Sequence, residues 1–159
     1  MTNIEYRKGN LFGTDSQVIC QGCNTLGKMG KGIALLFKER YPEMYQEYRN
    51  LCFTNRFIPG DLFVYKIPEG YHMGNTQSNI KYIFNLGTQP KPGPYAKVSY
   101  IRESLLKGIL YAREHNLSSI ALPQIGCGLG GLNWNREVKP LLEELSASHP
   151  DITLIVYSL

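Results

Sequence analysis

Two glycine-rich stretches dominate this chain: QGCNTLGKMGKG at residues 21–32 and PQIGCGLGG at residues 123–131. Each follows a short strand-like run, and each leads into a helix-like one. Glycine lets backbone N–H groups come close to a ligand, and the start of a helix adds unpaired donors and a positive dipole. If the two loops face each other, they can hold a diphosphate from both sides. The pair therefore predicts a nucleotide-type ligand.

Length and composition are those of an ordinary soluble globular protein. The 159 residues are 43% hydrophobic and 19% charged, which predicts a single domain over residues 1–159. No apolar run approaches the roughly 20 residues of a membrane span, and the first residues do not resemble a signal peptide. Four irregularly spaced cysteines do not suit a disulfide scaffold. We expect a cytoplasmic monomer without a membrane partner.

Strand-like and helix-like patterns alternate along the chain. The strand-like runs cover residues 3–8, 17–20, 61–67, 81–86, 119–122 and 153–157. Helical patterns begin at residues 30–31 and cover 42–52, 98–112 and 134–145, and residues 68–79 are typical of a surface loop. About six strands interleaved with helices predict a three-layer α/β/α fold around a mixed sheet.

Carboxylates are absent from the segments where strands open into loops. Residues 16–38, 70–102 and 115–136 contain no Asp or Glu. They contain neutral amides instead, at Gln21, Asn24, Asn85, Gln89 and Gln124. Ligands of open α/β sheets bind at the carboxyl ends of the strands. Glycine backbone and amides suit an anionic ligand there and do not suit a carboxylate-bound metal, so we expect no metal and no cofactor. The net charge of +4 is scattered and does not form the stripe of a dedicated DNA-binding protein.

Both loops come close to known phosphate-binding motifs. Gly22, Gly27 and Lys28 match the spacing of a Walker A motif, but Met29 stands where Ser or Thr would bind magnesium. Residues 126–131 match the GxGxxG dinucleotide fingerprint, but on a late strand without the required acidic residue at the end of the next one. We therefore reject both an NTPase and a dehydrogenase.

Cysteine and histidine offer weaker signals. One Cys20-x-x-Cys23 pair without a second pair does not predict zinc; we expect Cys20 in the sheet and Cys23 in the loop, and a reactive thiol at Cys23 or Cys127 stays open. The three histidines fall in predicted surface positions, and none is expected to act as a base: His72, His115 and His149.

With both loops described, the chain resembles a macrodomain along nearly its whole length. The resemblance rests on residues 8–12 (KGNLF), residues 20–32, residues 122–132 and the terminal residues 156–159 (VYSL). The subgroup it resembles contains terminal ADP-ribose protein glycohydrolase, the DNA ADP-ribosyl glycohydrolase antitoxin and the yeast ADP-ribose-1″-phosphate phosphatase.

This resemblance implies a site for ADP-ribose. Asn10 and Leu11 would contact the edge of the adenine, and Tyr157 and Leu159 would pack against its face. Asn24, with Gln21 nearby, would face the hydroxyls of the distal ribose. Backbone donors of residues 30–34 and 126–130 would hold the diphosphate and distal ribose. The full implied set is Asn10, Leu11, Gln21, Cys23, Asn24, Met29, Gly30, Lys31, Gly32, Ile33, Ala34, Thr88, Gln89, Pro123, Gln124, Ile125, Gly126, Cys127, Gly128, Leu129, Gly130, Tyr157 and Leu159.

Two departures bear on catalysis. The two glycohydrolases have a lysine after the threonine that corresponds to Thr88, and here Gln89 follows it; glutamine cannot form a Schiff base. The protein glycohydrolase also has an Asp where this chain has Gly130. A covalent lysine–aspartate route is therefore not available to this chain.

The sequence leads to the hypothesis of a metal-independent ADP-ribosyl hydrolase in which Asn24 and Gln89 orient a water molecule. Its substrates would be ADP-ribosylated protein carboxylates or O-acyl-ADP-ribose, because these leaving groups need little acid assistance. The alternatives are a non-catalytic ADP-ribose reader, an ADP-ribose-1″-phosphate phosphatase and an antitoxin that removes ADP-ribose from nucleic acid.

Overall fold

Six β-strands form one mixed sheet in the computed structural model, which describes residues 3–71 and 78–159. The strands are β1 (Ile4–Lys8), β2 (Val18–Asn24), β3 (Leu62–Lys66), β4 (Tyr82–Gln89), β5 (Ser119–Leu122) and β6 (Thr153–Ser158). Their order across the sheet is β1-β6-β5-β2-β4-β3. All neighbouring pairs are parallel except β3 with β4. The predicted three-layer α/β/α fold with a mixed sheet is confirmed.

Four α-helices cover the two faces of this sheet. They are α1 (Gly32–Arg40), α2 (Pro42–Phe53), α3 (Val98–Glu114) and α4 (Lys139–Ser148). Pro42 lies in the first turn of α2, where its missing N–H costs nothing. A π-helical turn, Trp134–Val138, precedes α4, so the helix expected over residues 134–145 begins irregularly. The described parts of the chain contain no helix long and apolar enough to cross a membrane.

The alternation of side chains along β2 separates two hydrophobic cores. Cys20 packs with α3 and α4 on one face, through Ile101, Leu105 and Leu142. Ile19 and Cys23 pack with α1 and α2 on the other face. Because successive side chains of a strand point to opposite faces, residues three apart cannot share one. The two thiols of the CxxC pair are therefore separated by the sheet.

Strands β2 and β4 are longer than their sequences predict. Their ladder runs from Val18↔Tyr82 to Asn24↔Gln89, with an irregularity at Cys23/Asn24. We expected both strands to end earlier because polar residues and glycine follow the apolar runs. The ladder continues because Gln21 and Asn85 are register partners, and the Gln21 side-chain amide donates to Asn85 Oδ1 over 2.8 Å. Residues 21–24 and 87–89, which lie beyond the predicted strands, consequently belong to strands as well.

The parallel strands bring their carboxyl ends to one edge of the sheet. In spatial order these ends are Lys8, Ser158, Leu122, Asn24 and Gln89. The predicted ligand-binding residues lie in the last residues of these strands, in the segments that follow them and in the first turn of α1. A ligand lying along this edge would thus pass from β1 and β6 at one end to β2 and β4 at the other.

Candidate functional site

Asn24, the last residue of β2, shapes the first glycine-rich loop. We define loop 1 as residues 25–31. Asn24 Oδ1 accepts from the N–H groups of Leu26 and Lys28 over 3.1 and 3.3 Å, and its Nδ2 donates to the Lys28 carbonyl over 2.7 Å. The side chain that we expected to orient water is thus engaged mainly with its own loop. The other hydrogen of Asn24 Nδ2 makes no hydrogen bond to a described residue, so it can still donate to a ligand.

Two tyrosines of α2 hold loop 1 from behind. The Tyr48 hydroxyl lies 2.7 Å from the carbonyl oxygen of Asn24 and 3.0 Å from its Oδ1. The Tyr45 hydroxyl donates to the Gly27 carbonyl over 3.1 Å. Tyr48 is fully buried, and burial, followed by the nearby thiols of Cys23 and Cys52, raises the pKa of its hydroxyl well above the usual value. Tyr48 is therefore a permanent donor.

Sequence reasoning missed this role of the two tyrosines. The helical pattern of residues 42–52 indicates no such role, and in the structure the Tyr48 side chain packs in the core beneath α2. Two hydroxyl-bearing side chains on a helix soon after a glycine loop were the available signal. Only the return of α2 across the end of β2 brings them to Asn24 and Gly27.

Loop 1 ends at the start of α1, where backbone donors are available. Lys31 is the N-cap residue, but its side chain makes no capping bond, and no acidic residue lies in the first turn. The first N–H groups of a helix have no partner within the helix, and the dipole there favours anions. Gly32 has a φ of +58°, in the left-handed region that favours glycine. The N–H groups of residues 30–34 are thus arranged as donors for an anion.

Met29 differs from its neighbours in loop 1. Its side chain is buried, with Sδ 3.9 Å from Gln21 Nε2, and it packs in the core under α1 and α2. It anchors the loop, so only its backbone can contact a ligand.

Loop 2, which we define as residues 123–131, follows β5 and is anchored by Ile125. This side chain is buried, whereas residues 127–130 are partly or fully exposed. Gly126 and Gly131 have φ values of +77° and +83°. The backbone bonds from Leu132 N–H to the Gly126 carbonyl and from Gly131 N–H to the Gly128 carbonyl close the loop. The chain therefore presents its backbone, instead of side chains, along the sheet edge.

Gly130 occupies a position that admits no side chain. A Cβ built there would lie 2.8 Å from the Gly126 carbonyl oxygen and 2.9 Å from Ala96 Cβ, closer than real Cβ atoms approach. This chain has no Asp at residue 130, and the structure leaves no space for one there. Ala96 N–H also donates to the Gly130 carbonyl, which ties loop 2 to the segment before α3.

The two loops approach each other across the sheet edge. A Cβ built on Gly32 would lie 3.9 Å from Leu129 Cδ1, and one built on Gly22 would lie 3.4 Å from Ile125 Cγ2. Gly22 of β2 faces the buried side chains of Thr88 and Ile125, and Gly32 faces Leu129, so β2 and the start of α1 both pack close to loop 2. Leu129 is otherwise 60% exposed, so loop 2 extends above the edge towards the start of α1.

Thr88 and Gln89 close the far end of this edge. Gln89 is the register partner of Asn24, and its carbonyl accepts from Thr25 N–H over 2.9 Å. Gln89 Nε2 donates to the Lys91 carbonyl over 2.8 Å, and among the described residues Oε1 receives no hydrogen bond. Thr88 is buried and donates to the Cys23 carbonyl over 3.3 Å. The structure thus brings Asn24 and Gln89 side by side.

The side chains of Gln21 and Cys23 lie beneath the site, contrary to expectation. Gln21 is fully buried against Asn85, and its Oε1 is the one buried polar side-chain atom of the described residues without a hydrogen-bond partner. Cys23 lies in β2, is buried, and has its Sγ 3.7 Å from Asn85 Oδ1. Neither side chain can contact the distal ribose directly in this arrangement, because strand pairing directs both into the interior.

The opposite end of the edge gathers the residues expected near adenine. Asn10 caps a 3₁₀ turn, Leu11–Gly13, by accepting from Phe12 N–H over 3.0 Å, and Gly9 N–H donates to the Ser158 carbonyl. Leu11 is buried and Leu159 fully exposed. Tyr157 is largely buried, and its hydroxyl donates to Thr14 Oγ1 over 2.9 Å. The structure places these residues together, with the Tyr157 hydroxyl turned inward.

The cysteines lack the properties of nucleophiles. Burial raises the pKa of the Cys23 thiol far above its usual value, with the Cys20 and Cys52 thiols adding to the effect. Burial, then Glu137, raises the pKa of Cys127 to about 11. A thiol acts as a nucleophile in its thiolate form, so the reactive cysteine that the sequence left open is not supported at Cys23 or Cys127.

The two histidines within the described residues lie away from the edge. His115 and His149 end α3 and α4, whereas His72 lies outside the described residues. No described group of three or more His, Cys, Asp or Glu side chains is arranged to hold a metal ion.

Two carboxylates approach the loops from other parts of the chain. Asp61 accepts from Ile58 N–H and from Lys107 Nζ, over 3.0 and 3.2 Å. Glu137 accepts from Asn133 N–H over 2.7 Å and lies near Cys127. Both are engaged in local bonds, so the backbone donors of the loops remain the main electrostatic feature of the site.

Comparison with known proteins gives a consistent result. The family model described as Macro domain matches residues 20–140. Among curated proteins, the chain is 35% identical over 154 residues to a DNA ADP-ribosyl glycohydrolase of Mycobacterium tuberculosis, covering 97% of this chain and 42% of the relative. It is 30% identical over 163 residues to the ADP-ribose glycohydrolase OARD1 of Bos taurus, covering 99% of this chain and 93% of the relative. This chain therefore spans less than half of the mycobacterial relative and nearly all of the bovine one.

The fold is matched by a solved structure described as the macrodomain of Mycobacterium tuberculosis DarG. The TM-score is 0.86 at 33% identity, covering 100% of this chain and 99% of that one.

Proposed function

This chain belongs to the Macro domain family, and we propose that it binds ADP-ribose and hydrolyses ADP-ribosyl derivatives without a metal ion. The observation that carries the proposal is a pair of neighbouring loops: uncapped N–H groups lie at the start of α1, and a second glycine-rich backbone loop lies beside them. Such donors suit a diphosphate. The names of the relatives, both ADP-ribosyl or ADP-ribose glycohydrolases, support the same ligand.

The ligand would lie along the sheet edge in one direction. Adenine would contact Asn10 and Leu11 at the β1/β6 end, with Tyr157 and Leu159 beside it. The diphosphate would lie between residues 30–34 and 126–130. The distal ribose would then reach Asn24 and Gln89 between β2 and β4. The order of the strands in the sheet supports this direction, because β5 and β2, which carry the two loops, lie between these ends.

The reaction would depend on positioning instead of a covalent intermediate. Gln89 Nε2 is held by the Lys91 carbonyl, which leaves Oε1 to accept a hydrogen bond from water or a ribose hydroxyl. The free Nδ2 hydrogen of Asn24 would donate to a ribose oxygen. The oriented water would attack C1″ as the C1″–O bond to the carboxylate breaks, and the departing carboxylate, which needs little protonation beforehand, would take up the proton that the water loses. We therefore propose ADP-ribosylated protein carboxylates and O-acyl-ADP-ribose as the substrates.

A second candidate is a reader that binds ADP-ribose without turnover. The observations that favour it are the glutamine at residue 89, fixed to Lys91, and the engagement of the Asn24 side chain within loop 1. Gly130, which has no room for a side chain, points the same way.

Two measurements test these proposals. Titration calorimetry should detect ADP-ribose binding that exceeds the binding of ADP, because ADP lacks the distal ribose; equal or absent binding would refute the proposed site. The release of ADP-ribose from a protein that carries it on carboxylate side chains then distinguishes a hydrolase from a reader. Gln89→Ala is the matched variant, and it should lower the rate of release more than the affinity for ADP-ribose. ADP-ribose-1″-phosphate and ADP-ribosylated oligonucleotide serve as further substrates, and preferential release from either would favour the phosphatase or antitoxin alternative.

We also propose that residues 1–159 act as one monomeric macro domain in the cytoplasm. The four cysteines, all free, support a reducing compartment.

A further inference from the structure

Exposed apolar side chains lie beside the distal-ribose end of the sheet edge. Phe53, Ile58 and Leu26 are 63%, 53% and 46% exposed. They come from three separate segments, the end of α2, the turn before β3 and loop 1. We call this set the acceptor surface.

Contacts around two glycines place these three residues together. A Cβ built on Gly27, next to Leu26, would lie 3.4 Å from Phe53 Cε1. A Cβ built on Gly87 would lie 2.8 Å from the Ile58 carbonyl oxygen and 3.3 Å from Thr25 Cγ2. Thr25 precedes Leu26, so the turn at Ile58, loop 1 and the end of α2 meet above the β2/β4 ends.

This surface continues the proposed ligand path. Adenine and diphosphate would occupy the β1–β6–β5–β2 part of the sheet edge, and the distal ribose would lie at Asn24 and Gln89. The next strand outward is β3, whose preceding turn carries Ile58. On this path, we expect the group attached to the distal ribose to leave over Leu26 and Ile58.

The chemistry of the surface favours a polypeptide as that group. Leu26 and Ile58 are aliphatic and offer no stacking platform, and the guanidinium of Arg49 already covers the Phe53 ring at 4.9 Å. Single-stranded nucleic acid is bound by stacking on open aromatic faces together with cations along the backbone. Apolar side chains of a polypeptide need only dry contact.

The charges at the rim point to an acidic segment. Lys28, Arg49 and Arg56 are exposed around the surface, and none forms an ion pair within the described residues. Two carboxylates lie nearby: Asp61 is paired with Lys107, and Glu103 lies against Gly60, two residues from Ile58, so in this part of the described structure the three cations outnumber the one unpaired carboxylate. The rim is therefore complementary to acidic residues, which are also the residues that carry a carboxylate-linked ADP-ribose.

We propose that the acceptor surface of Leu26, Phe53 and Ile58 docks the polypeptide that carries the ADP-ribose, selecting acidic segments with an apolar side chain near the modified residue. This inference rests on the proposed function.

The test compares Phe53→Ser, Ile58→Ser and the double variant with Leu110→Ser, which removes a similarly exposed apolar side chain (43% exposed) from the C-terminal half of α3. The substrates are free ADP-ribose, a carboxylate-modified acidic peptide and an ADP-ribosylated single-stranded oligonucleotide. The peptide and oligonucleotide are followed as kcat/KM where hydrolysed and as Kd where bound intact. We expect the kcat/KM of the double variant for the peptide, or its affinity for the peptide, to fall about ten-fold, equal to about 1.4 kcal/mol. The Kd of the double variant for free ADP-ribose should stay within two-fold of the wild-type value. Leu110→Ser should change neither the Kd for free ADP-ribose nor the value for the peptide.

Three results would overturn the inference while leaving ADP-ribose binding intact. The double variant could keep the wild-type kcat/KM or Kd for the peptide, Leu110→Ser could lose as much of it as the double variant, or the loss could be confined to the oligonucleotide. Loss of affinity for free ADP-ribose in the double variant would also overturn it, since the surface would then act through the ligand site. Failure of the wild type to bind ADP-ribose is a separate outcome that refutes the proposed function itself.

Discussion

Replacing Tyr48 by phenylalanine removes one hydroxyl from behind loop 1 and changes nothing else in the fully buried side chain. That hydroxyl lies 2.7 Å from the Asn24 carbonyl and 3.0 Å from Asn24 Oδ1. A buried hydrogen bond contributes about 0.5–1.5 kcal/mol net, and an acceptor left without its donor costs about 1–3 kcal/mol. We therefore expect Tyr48→Phe to lower the free energy of unfolding by about 1–2 kcal/mol, which lowers Tm by about 3–6 °C in a chain of this size.

The same change should weaken ligand binding. Asn24 organises residues 25–28, and these lead to the donors at the start of α1. When Asn24 loses its support, the loop must be ordered by the ligand, and we expect the Kd for ADP-ribose to rise about five- to ten-fold, equal to about 1–1.4 kcal/mol.

Tyr45→Phe is the matched control. It removes a hydroxyl from the same helix that bonds the Gly27 carbonyl at 3.1 Å from a partly exposed position, so water can replace it at a cost below about 0.5 kcal/mol. Urea denaturation measures stability and calorimetry measures binding. The reasoning is refuted if both variants behave alike, or if Tyr48→Phe loses stability while the Kd stays at the wild-type value.

Three further predictions follow from packing, charge and thiol burial. Gly130→Ala should destabilise the fold by about 1–3 kcal/mol, because its Cβ would meet the Gly126 carbonyl at 2.8 Å, whereas Gly128→Ala, with nothing within 4 Å, should leave Tm unchanged; equal thermal unfolding of the two would contradict this. The Arg113 guanidinium bonds Asp151 and lowers the pKa of that carboxyl from 3.8 to about 2, so its stabilising effect is present above pH about 4 and lost as the pH falls towards 2; between these pH values the free energy of unfolding of Asp151→Asn should depend less on pH than that of the wild type, and an equal dependence would argue against it. Iodoacetamide at pH 7.5 should modify Cys127 slowly and the three buried cysteines only after unfolding, which mass spectrometry can follow; rapid labelling of any buried thiol in the native protein would show that the packing is looser than described.

The periodic parts of the fold were accessible from the sequence. The short strand at residues 119–122 matches its prediction because its apolar run ends at Pro123. The helix over residues 98–112 was predicted from its apolar face, and α3 extends it by two residues. The limits of β2 and β4 were wrong because residues 21–24 and 87–89, which are polar or glycine and look like loop residues in sequence, continue the ladder between the two strands.

The candidate site was likewise predictable from the sequence only in part. The glycines of both loops and the absence of acids were visible in the sequence, because backbone access and charge are properties of the residues themselves. The directions of the side chains were not, since they depend on pairing and packing. Gln21 and Cys23 are turned into the interior by strand alternation, and Asn24 is engaged by its own loop.

By itself, the sequence determined a backbone-lined, acid-poor anion site between two glycine loops, because glycine content and charge do not depend on how distant segments meet. Only the tertiary structure decided which side chains reach that site and which support it. The return of α2 sets Tyr45 and Tyr48 behind loop 1, and the packing of Ala96 against Gly130 excludes a side chain there. These contacts join residues far apart in the chain, so no local pattern of residues encodes them.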